Sequence, residues 1–569
     1  MSNKLKQMIA IARGEEKADV VLKNAQVVNV FTNQILQKDI ALYQERIVGI
    51  GHYEGKKTID LENKFVVPGL IDAHFHIESS MATPFALSFV LLKHGVCTVI
   101  ADPHEIVNAT GKVGLNFMLE DAQKSALDYF FMIPSSVPSR DFEINGAGFF
   151  SAQDMEEYAH RPEVLGLAEV MRMDDVLNAD PRMIQKFDLF SHKVIDGHAP
   201  GLNDEDLQAY RLAGVVNDHE ASTYKEAIQR LQNGFQLFIR QGSGAKNLEA
   251  ILTGLLEHHI PLNHCSFCTD DKHLEDIYLE GTIDQEIREA IDLGCNPIEA
   301  IKMATINTAT HYGLKDRGAI APGYKADLVI LKDLSTFEIE EVWKDGKPFQ
   351  ALADLEAPTA IPKTLQNSVF LPLFTKEQFK ISQGSWHSIQ LIPGQLSTQG
   401  FEANLTLDDF PSAHYNILCA AERYGKTGEF AFCPVKGYGL NHGAIAMSYA
   451  HDSHNAIAIA DNIEDLVLAL NTLQSIQGGI VVVEKGRVFD ALSMRAAGLM
   501  SDLPAEEIVH HVSRMKEKVV EMGVSKDIDP FANLSFLSLP VIPEVRLCPQ
   551  GYYDVISQSF LSQPQSIHS

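Results

Sequence analysis

Long apolar segments are missing from this chain of 569 residues. No uninterrupted apolar stretch reaches the roughly 18 residues that a membrane-spanning helix requires. Residues 1–17 mix charged side chains with short apolar pieces and lack the apolar core of a secretory signal. The sequence therefore predicts a cytoplasmic protein with no membrane partner.

Basic residues are scarce relative to acidic ones. The chain has 47 Lys and Arg against 75 Asp and Glu, and its formal net charge is −28. Because a protein that binds nucleic acid normally presents a basic patch to the phosphates, this balance disfavours nucleic-acid partners and anionic membrane surfaces. We expect a small substrate that is uncharged or cationic.

Cysteine is also infrequent. There are seven, an odd number scattered along the chain, which does not suit a disulfide framework. Cys265 and Cys268 form one CxxC pair, but no second pair lies at the spacing of a zinc ribbon. We expect reduced thiols in the core rather than structural zinc.

The pattern of apolar residues predicts several domains, which the length of the chain also favours. Between residues 65 and 271, eight short β-rich apolar runs each close on a polar cluster, and most are followed by a helix-like stretch. The runs end at residues 74–76, 102–105, 134–136, 169, 196–198, 217–220, 240–243 and 268–271. Eight such units predict an α/β fold, a (β/α)8 barrel of the TIM type, over residues 65–317.

The segments on both sides of the barrel alternate in the manner of β-strands. Residues 18–30 and 39–51 precede it, and residues 326–332 and 337–343 follow it. We expect a small β-sandwich built from residues 1–64 and 318–353. Residues 354–364, with Pro358 and Pro362, resemble a linker into an additional C-terminal α+β domain at residues 365–569.

Candidate metal ligands gather at the ends of the predicted barrel strands. His74 and His76 are two positions apart on one strand, so both imidazoles point the same way. The full set is His74, His76, Glu169, His198, His219 and Asp270. Neutral imidazoles and carboxylates suit first-row divalent ions, and a carboxylate such as Glu169 can bridge two of them. The set is large enough for two metals, although a single histidine at a strand end usually serves only in hydrogen bonding.

For several other residues the sequence leaves two possible roles open. His104, next to Asp102, either orients the ligands or belongs to a hydrogen-bonded cluster at a strand end. Asp271 either contacts substrate or caps the following helix. His451 and His454 either close over the site or only stabilise their own domain.

Several stretches resemble the adenine deaminases of the amidohydrolase superfamily, and the resemblance covers nearly the whole chain. In the barrel they are PGLIDAHFHIESS at 68–80, ADPHE at 101–105, GHAPG at 197–201, DHE at 218–220 and CTDD at 268–271. HDSHN at 451–455 and GLMSD at 498–502 are similar to the C-terminal domain of that family. Glu169 is discriminating, because many relatives in the superfamily have a carbamylated lysine at this position.

The resemblance implies conversion of adenine to hypoxanthine and ammonia in purine salvage, with two divalent metal ions. Mn²⁺ is preferred, Fe²⁺ is an alternative, and Zn²⁺ suits the resemblance less. A metal-bound hydroxide would attack C6 while a carboxylic acid protonates N1.

The resemblance also suggests roles for individual residues. Asp270 is predicted to bind metal and to take the hydroxide proton, Glu220 to protonate N1, and His104 to support catalysis. Glu78, Ser79 and Asp271 are predicted to contact the purine. A homo-oligomer is compatible with the sequence.

The chain departs from the family pattern after Glu169. Residues 170–175 read VMRMDD, where a short turn containing Pro-Gly is expected, so the loop after the fourth strand should differ in shape. Two other functions stay open at this point. One is a cyclic amide hydrolase of the dihydroorotase or hydantoinase kind, which would release no ammonia, and the other is a non-catalytic barrel that has lost its metals.

Overall fold

The computed structural model describes residues 2–351, 357–380, 383–392, 397–405, 415–526 and 528–562. Residues 354–356 of the predicted linker and the last residues of the predicted C-terminal domain, 563–569, lie outside these ranges. Within the described ranges, no helix has both the length and the apolar character needed to cross a membrane.

The first element is a helix that the sequence analysis did not predict, α1 (Ser2–Ala12). Ile11 on this helix packs against Val21 and Ala41 of the strands that follow, which explains why the short apolar pieces near the N-terminus become ordered. Those strands are β1 (Ala18–Asn29), β2 (Gln34–Tyr43), β3 (Arg46–Gly51), β4 (Gly55–Asp60) and β5 (Phe65–Pro68).

Eight parallel strands form the barrel. They are β6 (Leu70–Phe75), β7 (Val96–Ala101), β8 (Asp128–Ile133), β9 (Val164–Val170), β10 (Val194–Gly197), β11 (Asn217–Asp218), β12 (Gln236–Arg240) and β13 (Cys265–Cys268). They pair in order from β6 to β10 and from β11 to β13. A hydrogen bond connects these two groups of strands: the amide of Val216 donates to the carbonyl of Ile195 at 3.1 Å.

Hydrogen bonds between the first and last strands close the barrel. The amide of His76 donates to the carbonyl of Asp270 at 3.1 Å, and the amide of Asp270 donates to the carbonyl of His74 at 3.0 Å. The predicted (β/α)8 architecture is confirmed. Because the strands are parallel, their carboxyl ends, and the polar clusters that follow them, meet at one face.

Helices surround the barrel. They are α2 (Pro84–Lys93), α3 (His104–Thr110), α4 (Lys112–Gln123), α5 (Ala152–Ala159), α6 (Met173–Leu177), α7 (Pro181–Phe190), α8 (Asp204–Leu212), α9 (Tyr224–Gln232), α10 (Leu248–Glu257), α11 (Leu274–Glu280), α12 (Ile283–Asp292), α13 (Pro297–Met303) and α14 (Ile306–His311). Their starts follow local rules: α7 has proline in its first turn, and Ser151 caps α5. Residues 170–175, which depart from the family pattern, run from the last residue of β9 into the short helix α6.

The segments before and after the barrel combine in one sheet. After the barrel come β14 (Leu328–Asp333), β15 (Glu338–Lys344) and β16 (Lys347–Pro348). The order of the sheet is β16-β15-β14-β5-β1-β2-β3, and β4 pairs with β1. Leu22, Ile40, Leu328 and Trp343 are buried in its core. The boundaries at residues 64, 317 and 353 stay predictions.

A second large sheet dominates the C-terminal part. Its strands are β17 (Gly384–Leu391), β18 (Thr398–Leu405), β19 (Asn416–Ala421), β20 (Phe430–Lys436), β21 (Gly443–Met447), β22 (Ala456–Ala460), β23 (Gly479–Glu484) and β24 (Arg487–Ser493), in the order β18-β17-β20-β19-β22-β21-β23-β24. A small sheet of β25 (Val545–Cys548), β26 (Gly551–Asp554) and β27 (Ser559–Leu561) follows. The helices are α15 (Lys363–Gln366), α16 (Ile463–Ser475), α17 (Ala505–Glu521) and α18 (Pro530–Phe536). This part of the chain contains both strands and helices, as the prediction of an α+β domain required.

The C-terminal domain lies against the barrel. The side-chain amide of Asn455 donates to the carbonyl of Ile144 at 2.7 Å, and the amide of Ser501 donates to the carbonyl of Met81 at 2.7 Å. Both carbonyls belong to segments that follow barrel strands at their carboxyl ends. The domain therefore covers the face where the polar clusters meet.

All seven cysteines are buried, and none forms a disulfide. Cys265 and Cys268 lie within β13 in the barrel wall, where their side chains are part of the packed interior. The expectation of reduced core thiols is confirmed.

Candidate active site

Two histidines at the end of β6 converge on one point. The Nε2 atoms of His74 and His76 are 3.2 Å apart, and both side chains are almost completely buried. The Nδ1 atom of His76 lies 3.0 Å from the carbonyl oxygen of Asp102, which fixes the ring and leaves Nε2 free to bind a cation. The period-2 alternation of the strand produces this pair.

Glu169, at the end of β9, lies between this pair and a second pair of histidines. Its Oε1 is 3.4 Å from Nε2 of His76. Its Oε2 is 2.7 Å from Nδ1 of His198 and 3.3 Å from Nε2 of His219. One carboxylate thus faces two imidazole groups with its two oxygens, which is the arrangement expected of a bridging ligand.

Asp270 completes the group from the end of β13. Its Oδ1 is 3.1 Å from Nε2 of His76 and 3.5 Å from Nε2 of His74. Burial alone would raise the pKa of Asp270, but hydrogen bonds from the two histidines and the charge of Arg240 hold that pKa well below its usual range. Asp270 is therefore an anionic ligand candidate.

These donors fit a pair of divalent cations. The candidate ligand atoms form overlapping compact groups, among them His74, His219 and Asp270, and Glu169, His198 and His219. Imidazoles and carboxylates are the donors that manganese, iron and zinc accept. The Nδ1 atom of His219 is buried and has no hydrogen-bond partner in the part of the chain that the structure describes. The six residues proposed as ligands thus lie together, although they come from five different strands.

His104 lies behind Glu169. Its Nδ1 is 3.4 Å from Oε1 of Glu169 and 3.5 Å from Oδ1 of Asp102. Burial lowers the pKa of His104, but the charges of Asp102 and Asp452 and hydrogen bonds to both together outweigh burial, and the pKa is raised well above its usual value. His104 is placed to hold the orientation of Glu169.

Arg240 is a residue of the site that sequence reasoning missed. Its Nη1 lies 2.5 Å from Oε1 of Glu220 and 2.9 Å from Oδ2 of Asp270. Burial raises the pKa of Glu220, but the charges of Arg240, His198 and His219, with a hydrogen bond from His219, together outweigh burial and hold the pKa well below its usual range. One signal in the sequence could have identified Arg240. It lies at the end of the seventh barrel strand, whereas the candidate site residues at the other strand ends are anionic or neutral.

The residues predicted to contact substrate form a second polar group. The hydroxyl of Ser79 donates to Asp271, and its oxygen also lies 3.3 Å from Oε1 of Glu105. Oε1 of Glu78 accepts from the amide of Ile106 at 3.0 Å, and burial raises the pKa of Glu78 to about 7. Asp271 does not cap the following helix, whose N-cap is His273.

A cavity of about 360 Å³ lies over the candidate ligands. The barrel side includes His76, Glu169 and Asp270, and the opposite side comes from the C-terminal domain. On that side the ring of His451 stacks on Phe536, with centroids 4.5 Å apart and planes at 12°. The volume is in the range of small-molecule sites. Of the two roles left open for His451, the structure shows it lining the cavity.

The barrel and its strand-end donors define the chain as a member of the amidohydrolase superfamily. The model of the amidohydrolase family matches residues 65–349. A second model, the adenine deaminase C-terminal domain, matches residues 396–559.

Full-length relatives give the narrower family. The chain is 44% identical to an adenine deaminase of Desulfitobacterium hafniense, with 98% of each chain covered. It is 40% identical to adenine deaminases of Lysinibacillus sphaericus and Halalkalibacterium halodurans, with 98% and 99% of both chains covered, respectively. The chain belongs to the adenine deaminase family.

Proposed function

We propose that this protein hydrolyses adenine to hypoxanthine and ammonia and acts in purine salvage in the cytoplasm. The observation that carries the proposal is the position of Glu169 between two imidazole pairs beneath a cavity of small-molecule size. The near full-length similarity to proteins named adenine deaminase supports deamination rather than opening of a cyclic amide.

Six side chains would hold two divalent cations, with Mn²⁺ preferred and Fe²⁺ as the alternative. They are His74, His76, Glu169, His198, His219 and Asp270. When bound, such ions lower the pKa of a water molecule towards 7 and so supply a nucleophile at neutral pH. His104 would act as a positioning residue, because it contacts Glu169 and Asp102.

Asp270 would take a proton from the attacking water. Its Oδ2 is held by Arg240 at 2.9 Å, which leaves Oδ1 directed at the histidines and at the place where water must lie. The low pKa of Asp270 keeps the carboxylate in its ionised form, the only form that can accept a proton.

Glu220 would deliver a proton to N1 of the purine. Because Arg240 keeps Glu220 ionised, the proton it delivers has to come from the attacking water during the reaction. The oxygen of that water becomes the C6 carbonyl oxygen, one of its protons ends on N1, and the other leaves with ammonia. Atoms and charge balance without any further reactant.

The purine would lie between the two walls of the cavity. Glu78, Ser79 and Asp271 offer polar groups for its ring edge. Phe536 offers an aromatic surface for a flat ring, since aromatic pairs favour stacking. Enclosure by the C-terminal domain would exclude bulk water from the reacting centre.

The test is to follow ammonia release from a panel of aminopurines by the Mn²⁺-loaded protein. We expect ammonia from adenine in proportion to enzyme, and none from the metal-free protein. Dihydroorotate and hydantoin serve as control substrates. Consumption of either one, with no ammonia from adenine, would overturn the proposal in favour of a cyclic amide hydrolase.

A further inference from the structure

A second group of potential ligands lies where the C-terminal domain meets the barrel. Oε1 of Glu105, in helix α3, is 3.6 Å from Nδ1 of His451. Its Oε2 is 4.0 Å from Nε2 of His454. One ligand atom from each of the three residues falls within a compact group. Two donors with metal bonds of about 2.1 Å lie roughly 3.4–4.2 Å apart at angles from tetrahedral to linear, and these two separations, one from each oxygen of the carboxylate, fall in that range.

His454 shows independently that a binding partner belongs at this position. Its side chain is fully buried, and neither ring nitrogen has a hydrogen-bond partner among the described residues. A buried polar group without a partner is costly, and native proteins rarely leave one in place. Burial lowers the pKa of His454 well below its usual value, so the ring is in the neutral form that ligates metals.

The carboxylates around Glu105 also call for a cation. Ser79 bridges Glu105 and Asp271, and the Glu78 carboxylate is buried in the same wall. Burial, together with the charges of Glu78 and Asp271, raises the pKa of Glu105 well above its usual value. A bound cation would offset this crowding of negative charge.

We propose that Glu105, His451 and His454 bind a third divalent cation of the first transition series, which ties the C-terminal domain to the barrel. The two imidazoles and the carboxylate form a donor set that such ions accept. None of the three residues belongs to the six ligands of the proposed pair. His104 contacts residues on both sides, since its Nδ1 faces Glu169 while its Nε2 lies 3.9 Å from Asp452, the neighbour of His451.

The test is the metal content of the Mn²⁺-loaded full-length protein, measured by inductively coupled plasma mass spectrometry. We expect three equivalents in the wild type and two in both His454→Gln and Glu105→Gln. His511→Gln is the matched control, because His511 pairs with Asp490 and belongs to none of the candidate ligand groups, and it should keep three. Two equivalents in the wild type and in both variants would overturn the third site and leave the proposed function intact.

The two proposals fail in different ways. One possible result is that the wild type holds a single metal equivalent, which His454→Gln loses and Glu169→Gln keeps. That result would support the third site and refute the paired site. If His454→Gln and Glu105→Gln lose every equivalent while remaining folded by circular dichroism, an independent third site is refuted.

A direct observation covers the case in which a buried histidine variant does not fold. Crystals of the Mn²⁺-loaded wild type should give an anomalous difference peak among Glu105, His451 and His454. Peaks at Glu169 without one at these three residues would refute the third site.

Discussion

Arg240 joins Glu220 to Asp270, with Nη1 2.5 Å from Oε1 of Glu220 and 2.9 Å from Oδ2 of Asp270. Two carboxylates placed so close would repel each other and raise each other's pKa without a cation between them. A single guanidinium therefore helps to keep both of the groups that we propose as proton carriers ionised. It binds both oxygens of Glu220, whereas it leaves Oδ1 of Asp270 free for the reaction.

The first prediction concerns the proton carried by Glu220. Glu220→Gln keeps the shape of the side chain but cannot accept and release a proton, so kcat should fall by about 10²- to 10⁴-fold. Bound metal should not change, because Glu220 is outside the proposed ligand set. Steady-state kinetics and metal analysis check this, with the exposed Glu205→Gln as control. Full turnover with unchanged metal would rule out the role.

The second prediction concerns the bridging carboxylate. Glu169→Gln replaces an anionic oxygen that faces two imidazole pairs, so the protein should lose at least one metal equivalent and its deaminase activity. Excess Mn²⁺ should not restore the activity. Glu163→Gln is a matched control, because Glu163 precedes the same strand at its opposite end and pairs with Arg161. Retention of all metal by Glu169→Gln would contradict the bridging role.

Metal removal should also lower stability. A ligand that binds only the folded state stabilises it by about 2.7 kcal/mol when its free concentration is 100 times its Kd. Chelation should therefore abolish ammonia release and lower Tm, and added Mn²⁺ should reverse both effects. Differential scanning calorimetry with and without chelator is the measurement. A Tm that changes with neither chelator nor added Mn²⁺ would show that the donor group does not bind cations in the folded state.

His104→Gln should weaken metal binding without abolishing catalysis. Residues that orient metal ligands typically contribute about 10- to 100-fold to metal affinity or activity when removed. We expect the Mn²⁺ concentration for half-maximal activity to rise by a factor of this size, while kcat at saturating Mn²⁺ largely recovers. A loss of kcat that no Mn²⁺ concentration restores would instead indicate direct participation of His104 in the reaction.

The sequence predicts arrangements that depend on neighbouring residues better than contacts between residues that are distant along the chain. The convergence of His74 and His76 is local, since it follows from strand periodicity, and the barrel follows from eight repeated strand-helix units. The contact of Arg240 with Glu220 depends on how the ends of two strands meet, which composition does not specify. His451 reaches the cavity only because a separate domain packs over the barrel face, and no local pattern specifies that packing.

Lys344 gives a prediction about stability away from the cavity. Its buried ammonium lies 2.9 Å from Asp128, 3.1 Å from Asp327 and 3.0 Å from Asp345, and so joins the flanking sheet to the start of strand β8. Removing one partner of a buried ion pair leaves uncompensated charge and typically costs about 3–5 kcal/mol. Lys344→Met should therefore lower the free energy of unfolding by this amount, whereas Lys332→Met, in an exposed pair with Glu338, should have no measurable effect.

The pH dependence of Lys344→Met separates lost charge compensation from lost packing. Burial already raises the pKa of Asp327, and the Lys344 charge opposes that rise. Without Lys344 the folded-state pKa of Asp327 rises further above its unfolded value, so the folded state binds more protons and gains stability as the pH falls through that pKa. Urea unfolding at neutral and mildly acidic pH should thus show the deficit of the variant shrinking with acid. The double variant Lys344→Met, Asp327→Asn should recover part of the loss at neutral pH, and a deficit that neither acid nor the second substitution reduces would assign the effect to packing.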